Sequence, residues 1–179
     1  MKKYKYHIIA VVLFGIGVLV YGAQSGQNND SIPQIGTSEG DIAPAFLVTT
    51  IDNTTVSSDD TKGKVLVITS SAAWCQTCVM EAQQFAPVYE KYKDQNVVFL
   101  TIDIDPRDTK EAIEAFRTHT NTPWFYTDAS GAAKLIEDYR FNRFEITYVI
   151  DEAGVIQHKD GGITDSNTLD QVLVQVLGV

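Results

Sequence analysis

Two cysteines separated by two residues are the only thiols of this 179-residue chain, and they stand in the segment Trp74-Cys-Gln-Thr-Cys78. Two thiols at this spacing can form a disulfide within one helical turn, and the spacing predicts that this bond opens and closes reversibly. A helix is predicted from Cys75 to Tyr92. This puts Cys75 at a helix N-terminus, where free N–H groups and the helix dipole favour a thiolate. Cys75 is therefore the predicted nucleophile, and Cys78, one turn deeper, is the predicted resolving cysteine.

The pair has two other interpretations, a zinc half-site and a purely structural bridge. Structural zinc takes four protein ligands, and the sequence has neither a second cysteine pair nor a histidine at metal-ligand spacing. A bridge across two residues closes almost no loop, so it restrains the unfolded chain very little. Redox exchange is therefore the preferred interpretation. We predict no metal and no organic cofactor, because the two cysteines are themselves the redox group.

The elements that must position this pair alternate between strand and helix patterns. Apolar and β-branched runs predict strands at 45–51, 64–69, 97–103, 124–126, 146–150 and 155–157. Helical spacing predicts helices at 75–92 with a kink at Pro87, from a cap at Asp108 to Arg117, at 131–139, and from Asp165 or Ser166 onwards. This alternation, ending in a hairpin and a helix, predicts an α/β sandwich with a mixed sheet.

The first 40 residues have a different composition from the rest of the chain. Lysines at positions 2, 3 and 5 precede an uncharged apolar run of 16 residues, Ile8 to Ala23. This run is shorter than the roughly 20 residues of a typical spanning helix, so residues 1–23 are predicted to be a signal anchor or a cleaved signal peptide. The anchor is favoured because Tyr21 makes a poor cleavage motif. Residues 24–40, rich in Gln, Asn, Ser and Gly, are a predicted flexible linker to a domain at 41–179.

The distribution of charge limits the possible partners. The formal net charge is -9, and three of the 14 basic residues lie in the N-terminal leader. A domain this acidic repels phosphate backbones, so nucleic acid is not an expected partner. The basic leader should stay cytoplasmic. We therefore expect a domain outside the cytoplasm, either tethered to the membrane or secreted after cleavage, that acts on protein thiols and disulfides there.

The domain resembles the thioredoxin-fold thiol–disulfide oxidoreductases of the membrane-tethered, TlpA-like redoxin group over roughly residues 41–177. Four segments carry the resemblance: Asp41-Ile-Ala-Pro-Ala-Phe46, Lys62-Gly-Lys-Val-Leu-Val67, Trp74-Cys-Gln-Thr-Cys78 and Ile150-Asp-Glu-Ala-Gly154. The resemblance implies a thioredoxin-like sandwich whose mixed central sheet is flanked by helices, and it implies an enzyme. It also places Trp74 either along the substrate groove or packed over the active-site loop.

Two positions depart from the pattern of that family. Many thioredoxins have a buried aspartate six residues before the first cysteine, where this chain has Thr69. Relatives that serve cytochrome maturation instead have a glutamate three residues after the second cysteine, and Glu81 stands there. The resemblance therefore implies that Glu81 approaches the cysteines and carries protons, while a solvated helix glutamate is the alternative. The family's cis-proline, which faces the cysteines, is replaced by Glu145, or by Ile146 with a one-residue shift; a trans peptide is expected at this groove position.

The absence of that proline makes metal binding a second possible function, because in the family the proline shields the sulfurs from metals. Copper chaperones of the Sco-related type also lack it, but they have a C-x-x-x-C pair and a histidine near the strand, where this chain has Arg143. A copper-binding chaperone that uses the same two cysteines is therefore the alternative, and a non-catalytic scaffold domain is a third possibility. Peroxidase activity is a weaker option, because the peroxiredoxin pattern needs proline at 68 and serine or threonine at 72, where this chain has Ile68 and Ala72.

Overall fold

The computed structural model describes residues 34–179, in which strands and helices alternate as the sequence predicts. The strands are β1 (Leu47–Thr49), β2 (Thr55–Ser57), β3 (Val65–Ser71), β4 (Val97–Asp103), β5 (Phe125–Thr127), β6 (Ile146–Ile150) and β7 (Ile156–Gly161). The helices are α1 (Gln76–Tyr92), α2 (Lys110–Thr120), α3 (Ala133–Asp138) and α4 (Ser166–Leu177). β1 and β2 form a separate antiparallel hairpin, and the other five strands form a sheet in the order β5-β4-β3-β6-β7. β3, β4 and β5 are parallel, whereas β6 and β7 are antiparallel to their neighbours, so the mixed sheet is confirmed.

Strand β3 lies at the centre of the sheet, and all seven of its residues are buried. Successive side chains of a strand point to opposite faces, so an uninterrupted apolar run fits a strand that is covered on both sides. Val65 and Val67 pack into a core with α1, α2 and α4, while Leu66 and Ile68 pack into a second core with α3 and the β1–β2 hairpin. The result is the predicted sandwich, and it holds the end of β3 rigidly beneath the cysteines.

The observed bounds of strands and helices agree with the predicted ones where an apolar run is continuous. They differ where hydrogen bonds of polar side chains determine the first residue of an element. β4 and β6 have the predicted bounds, and α1 continues through Pro87 to Tyr92 as one helix. The prediction that Asp108 caps α2 is wrong, because Thr109 is the cap and its hydroxyl accepts the N–H of Ala112. The short, partly exposed strand β2 has no counterpart among the predicted strands.

The ordered domain begins before Asp41, the residue at which it was predicted to start. Gly40 donates its N–H to the Ile156 carbonyl at 2.8 Å, and the Glu39 carboxylate accepts the N–H of Lys159 at 3.0 Å. The last part of the predicted linker is therefore attached to β7. The predicted anchor or signal at 1–23 lies outside the described residues, and no helix within 34–179 has the length and apolar character needed to cross a membrane.

Candidate active site

The loop after β3 turns directly into α1, and Cys75 is the N-cap of this helix. Its N–H donates to the Ala72 carbonyl at 3.1 Å, and its extended backbone (φ −79°, ψ 112°) is typical of a cap residue. The Cys75 sulfur accepts the N–H of Cys78 at 3.2 Å, so it takes the place that a serine or aspartate oxygen usually holds at a cap. The predicted position of Cys75 at the helix N-terminus is thus present in the structure.

Cys75 and Cys78 are joined by a disulfide, with their Cα atoms 5.2 Å apart. The Thr77 hydroxyl lies 3.3 Å from the Cys75 sulfur. A disulfide sulfur carries no proton and can only accept, so the Cys75 sulfur accepts hydrogen bonds from both the Thr77 hydroxyl and the Cys78 N–H. Both cysteines are largely covered, with 5% of Cys75 and 3% of Cys78 exposed. Cys75 lies between the exposed residues Trp74 and Gln76, whereas Cys78 lines a narrow cavity inside the domain. Cys75 therefore lies on the solvent side of the loop, and Cys78 lies towards the interior of the domain.

Glu81 lines the same cavity as Cys78, and only 2% of it is exposed, which rules out the solvated-glutamate alternative. Burial raises the pKa of Glu81 to about 7, although hydrogen bonds to its carboxylate oppose this rise. One carboxylate oxygen accepts the N–H of Thr164 at 3.0 Å, and the other accepts the Thr69 hydroxyl at 3.1 Å. A carboxyl group with a pKa near neutrality, on the inner side of the disulfide, is suited to take up and release protons.

Thr69 occupies the position of the buried aspartate of many thioredoxins and contacts Glu81, the glutamate found in the relatives that serve cytochrome maturation. Its hydroxyl donates to the Glu81 carboxylate from the neighbouring strand. The Thr147 hydroxyl, on β6, donates in turn to the Thr69 hydroxyl oxygen at 3.1 Å. The buried carboxyl group beneath the cysteines is therefore supplied by helix α1, and β3 contributes a hydroxyl that orients it.

Glu145, which directly precedes β6, lies beside the disulfide. One of its carboxylate oxygens is 4.0 Å from the Cys75 sulfur, and its backbone is left-handed, with φ +62°. A left-handed non-glycine residue costs about 1 kcal/mol or more, so its surroundings must hold it there. Fully buried Ser70 does this: its carbonyl accepts the Glu145 N–H at 2.8 Å, and its hydroxyl oxygen accepts the Ile146 N–H at 3.0 Å. Within residues 34–179 every peptide bond is trans.

The two remaining predicted groove residues differ in position. Trp74 is 55% exposed; its indole N–H donates to the Asp105 carboxylate at 2.8 Å, and its ring packs edge-on against Phe144 at 5.3 Å. It therefore stands at the rim of the site. Ile146 is buried in the core on the other side of the sheet, together with Ile68. Of the two candidates for the proline position, Glu145 is thus the one whose side chain reaches the cysteines, and the side chain of Ile146 does not line a groove.

Sequence reasoning missed three aspartates at the end of β4 that hold the active-site loop. The Asp108 carboxylate accepts the Ala73 N–H at 2.7 Å, and the Asp103 carboxylate accepts the Asp105 N–H at 3.0 Å. Burial raises the pKa of Asp103, and the nearby Asp108 raises it further, whereas the Arg107 guanidinium holds the pKa of Asp105 well below its usual range. The carboxyl ends of parallel strands meet at one edge of a sheet, so an aspartate as the last residue of a buried strand, Asp103, was the available signal.

A model of the AhpC/TSA family matches residues 40–159, which include both cysteines and the whole of β3 to β6. The chain belongs to the AhpC/TSA family.

This AhpC/TSA protein has relatives that are named thioredoxin-like or thiol-disulfide oxidoreductase. It is 26% identical over 174 residues to the thioredoxin-like protein YneN of Bacillus subtilis, covering 97% of this chain and 98% of that one. It is 26% identical over 137 residues to the thiol-disulfide oxidoreductase ResA of Bacillus cereus, covering 76% of this chain and 78% of that one.

Solved structures confirm the thioredoxin-like fold of this AhpC/TSA domain. A thiol:disulfide interchange protein of the thioredoxin family from Chlorobium tepidum superposes with a TM-score of 0.69 at 19% identity, covering 81% of this chain and 99% of that one. The thioredoxin domain of a thiol-disulfide oxidoreductase from Bacteroides vulgatus superposes with a TM-score of 0.68 at 20% identity, covering 78% and 98%. At these identities the likeness establishes the fold alone.

Proposed function

We propose that the protein is a thiol–disulfide oxidoreductase that exchanges disulfides with partner proteins outside the cytoplasm. The observation that carries this proposal is the disulfide at the N-cap of α1, whose Cys75 sulfur accepts hydrogen bonds from the Cys78 N–H and the Thr77 hydroxyl. The same donors stabilise the negative charge on Cys75 when the bond opens. The relatives named thiol-disulfide oxidoreductase support the same chemistry.

In the oxidising direction, a partner thiolate attacks the Cys75 sulfur and the Cys75–Cys78 bond breaks. Cys78 leaves as a thiolate, and a mixed disulfide joins Cys75 to the partner. A second partner thiolate then attacks the partner sulfur of this mixed disulfide and releases Cys75 as a thiolate. The protein gains two electrons and the partner gains a disulfide. In the reducing direction the same steps run backwards, with Cys75 attacking the partner disulfide and Cys78 resolving the intermediate.

Glu81 is the proposed proton carrier for the buried cysteine. The Cys78 thiolate is generated in a cavity that Glu81 shares, and two adjacent negative charges away from water repel each other strongly. A carboxyl group whose pKa lies near 7 exists in both protonation states near neutral pH, so it can protonate Cys78 as it leaves and recover that proton when Cys78 attacks.

Trp74 and Glu145 are proposed to flank the partner segment that reaches Cys75. Trp74 offers an exposed aromatic surface fixed by Asp105, and Glu145 offers a carboxylate 4.0 Å from the sulfur that is attacked. Export and membrane tethering are supported by the sequence, namely the lysine-rich leader and the apolar run at 8–23. The proposed partners are therefore exported proteins with cysteine pairs.

Trapping of mixed disulfides tests this function. Cys78→Ser, expressed as the full chain in its native membrane, should accumulate partners that are covalently bound to Cys75, because the resolving thiol is absent. A Cys75→Ser, Cys78→Ser double variant is the matched control and should trap nothing. If no conjugate accumulates with Cys78→Ser while copper co-purifies with the unaltered protein, the copper-chaperone alternative replaces the proposal.

A further inference from the structure

We propose that the reduced form of the protein binds one zinc ion through the sulfurs of Cys75 and Cys78 and a carboxylate oxygen of Glu145. The inference uses the same cysteines as the proposed exchange reaction but does not depend on it, since a domain that exchanged no disulfides would still present these three ligands. It assigns Glu145 a definite chemical role as a metal ligand.

The three donor residues already lie close enough together to share one zinc ion once the disulfide is reduced. One potential ligand atom from each of the three residues lies within 4.8 Å of the other two, and the Glu145 oxygen is 4.0 Å from the Cys75 sulfur. In a tetrahedral site with Zn–S of about 2.3 Å and Zn–O of about 2.0 Å, neighbouring donors are about 3.5–3.8 Å apart. Reduction breaks the S–S bond, which lets the two sulfurs separate towards this distance. Movement of the Glu145 side chain towards the two freed sulfurs then completes the geometry.

The backbone holds Glu145 in place before any metal arrives. Its left-handed conformation is maintained by the Ser70 carbonyl, and the next N–H is bound by the Ser70 hydroxyl oxygen. The Ser70 hydroxyl donates to the Arg143 carbonyl at 2.9 Å, so one buried serine fixes the whole segment before β6. A backbone that is held in advance loses no further conformational entropy when its side chain binds a metal, which favours affinity.

The electrostatics of the reduced site also favour a dication. Among residues 34–179, no lysine, arginine or histidine nitrogen lies within 4.0 Å of the Glu145 carboxylate. The Glu145 charge also acts on the buried carboxyl group of Glu81. In the reduced protein, two thiolates and the Glu145 carboxylate bring negative charge within 4.8 Å of one another, and a divalent cation neutralises the repulsion between them.

The mixture of donors selects zinc over monovalent copper. Cu(I) prefers soft sulfur ligands alone, whereas zinc accepts thiolate and carboxylate ligands together. Three protein ligands leave the fourth tetrahedral position free for water. Binding displaces two thiol protons and transfers no electrons: two thiols and Zn²⁺ give a dithiolate–zinc site and two protons, after a partner dithiol has supplied the two electrons that reduce the disulfide. Bound zinc occupies the Cys75 sulfur, so it blocks exchange.

Titration of the full-length protein with Zn²⁺ tests the proposal. The protein is reduced with a phosphine, freed of reductant without air, and titrated against a chromophoric zinc indicator. We expect one zinc per reduced chain and none on the oxidised chain. Glu145→Gln should weaken binding at least tenfold, whereas Glu152→Gln, which makes the same charge change on an exposed turn at the other end of β6, should leave affinity unchanged. Equal affinity for the native protein and Glu145→Gln, or no stoichiometric zinc, overturns the proposal.

X-ray absorption at the zinc edge gives a second measurement that does not rely on a variant. The native reduced protein should show two sulfur neighbours together with oxygen neighbours, whereas a shell with fewer than two sulfurs contradicts the assignment. Exchange activity, measured with a chelator present, separates this proposal from the proposed function. Exchange without zinc binding overturns only the zinc site, and zinc binding without exchange overturns only the oxidoreductase.

Discussion

Replacement of Glu81 by glutamine tests the buried proton carrier through the stability of the fold. The side chain is 2% exposed, and burial raises its pKa from an ordinary 4.5 to about 7. Glutamine has nearly the same shape and still accepts the Thr164 N–H through its amide oxygen. The variant therefore removes the titration while keeping the packing, which makes the pH dependence of stability the informative quantity.

The size and sign of the effect follow from the two pKa values. Folded Glu81 keeps its proton up to about pH 7, whereas in the unfolded chain it loses the proton near pH 4.5. Its contribution to stability is fully present below the unfolded value and is lost as the pH rises through the folded value. About 2.5 pKa units at about 1.4 kcal/mol each correspond to about 3 kcal/mol. The native protein should therefore lose about 3 kcal/mol relative to Glu81→Gln between about pH 4 and pH 8.

Urea unfolding of the oxidised full-length protein at both pH values measures this difference. Other titrating groups, Asp103 among them, contribute equally to the native protein and the variant, so they cancel in the comparison. Glu152→Gln on the surface is the control and should follow the native pH dependence. If Glu81→Gln and the native protein show parallel stabilities across this range, Glu81 does not titrate near neutrality and the proposed proton transfer to Cys78 fails.

Three further substitutions test the contacts that hold the site. Asp108→Ala leaves the Ala73 N–H without an acceptor and should be about 1–3 kcal/mol less stable than Asp108→Asn, which keeps an oxygen there; urea unfolding compares the two. Ser70→Ala removes the hydroxyl that fixes the backbone around Glu145, so its zinc affinity, measured by indicator titration, should fall. The double variant Ser70→Ala, Cys78→Ser should still trap partners, as gel shifts would show. Trp74→Phe breaks the hydrogen bond to Asp105 on a half-exposed ring and should cost less than about 1 kcal/mol by thermal unfolding.

Continuous apolar runs made the central part of the fold predictable. The bounds of β4 and β6 agree because every residue of both strands except Val98 is buried, so composition alone marks them. Cys75 at the start of α1 was also predictable, because helical spacing begins directly after it. β2 was not, since a three-residue strand of threonine, valine and serine at the edge of a hairpin differs little from a loop.

The side-chain contacts of the site were harder to predict from the sequence than the strands and helices that carry them. Helical spacing put Glu81 on the face of Cys78, but its burial depends on Thr69 and Thr164, which come from other strands and loops. Asp108 has the position and residue type of a cap, yet a backbone N–H 35 residues earlier binds it, so Thr109 became the cap. Contacts at such separations are fixed by packing of the whole chain, which local pattern does not encode.

The position of Glu145 beside the cysteines was predictable from the sequence, but the contacts that hold its backbone were not. Alignment with the family pattern put either Glu145 or, with a one-residue shift, Ile146 at the position that faces the cysteines, and it is the Glu145 carboxylate that lies 4.0 Å from the Cys75 sulfur. Its left-handed backbone and the role of Ser70 in holding it could not be inferred, because Ser70 is 75 residues away in sequence. The sequence argument against zinc counted only cysteines and histidines, so it did not consider the Glu145 carboxylate, which the fold brings to the cysteines from a distant loop.

A redox titration of the Cys75–Cys78 pair measures whether this disulfide opens and closes reversibly in the folded protein. The full-length protein is equilibrated in thiol–disulfide buffers of graded potential with a chelator present, quenched with an alkylating reagent, and analysed by mass. The account predicts one reversible two-electron transition, with Cys75 alkylated faster than Cys78 in the reduced protein. A disulfide that resists reduction until the domain unfolds, or equal alkylation of both sulfurs, would contradict it.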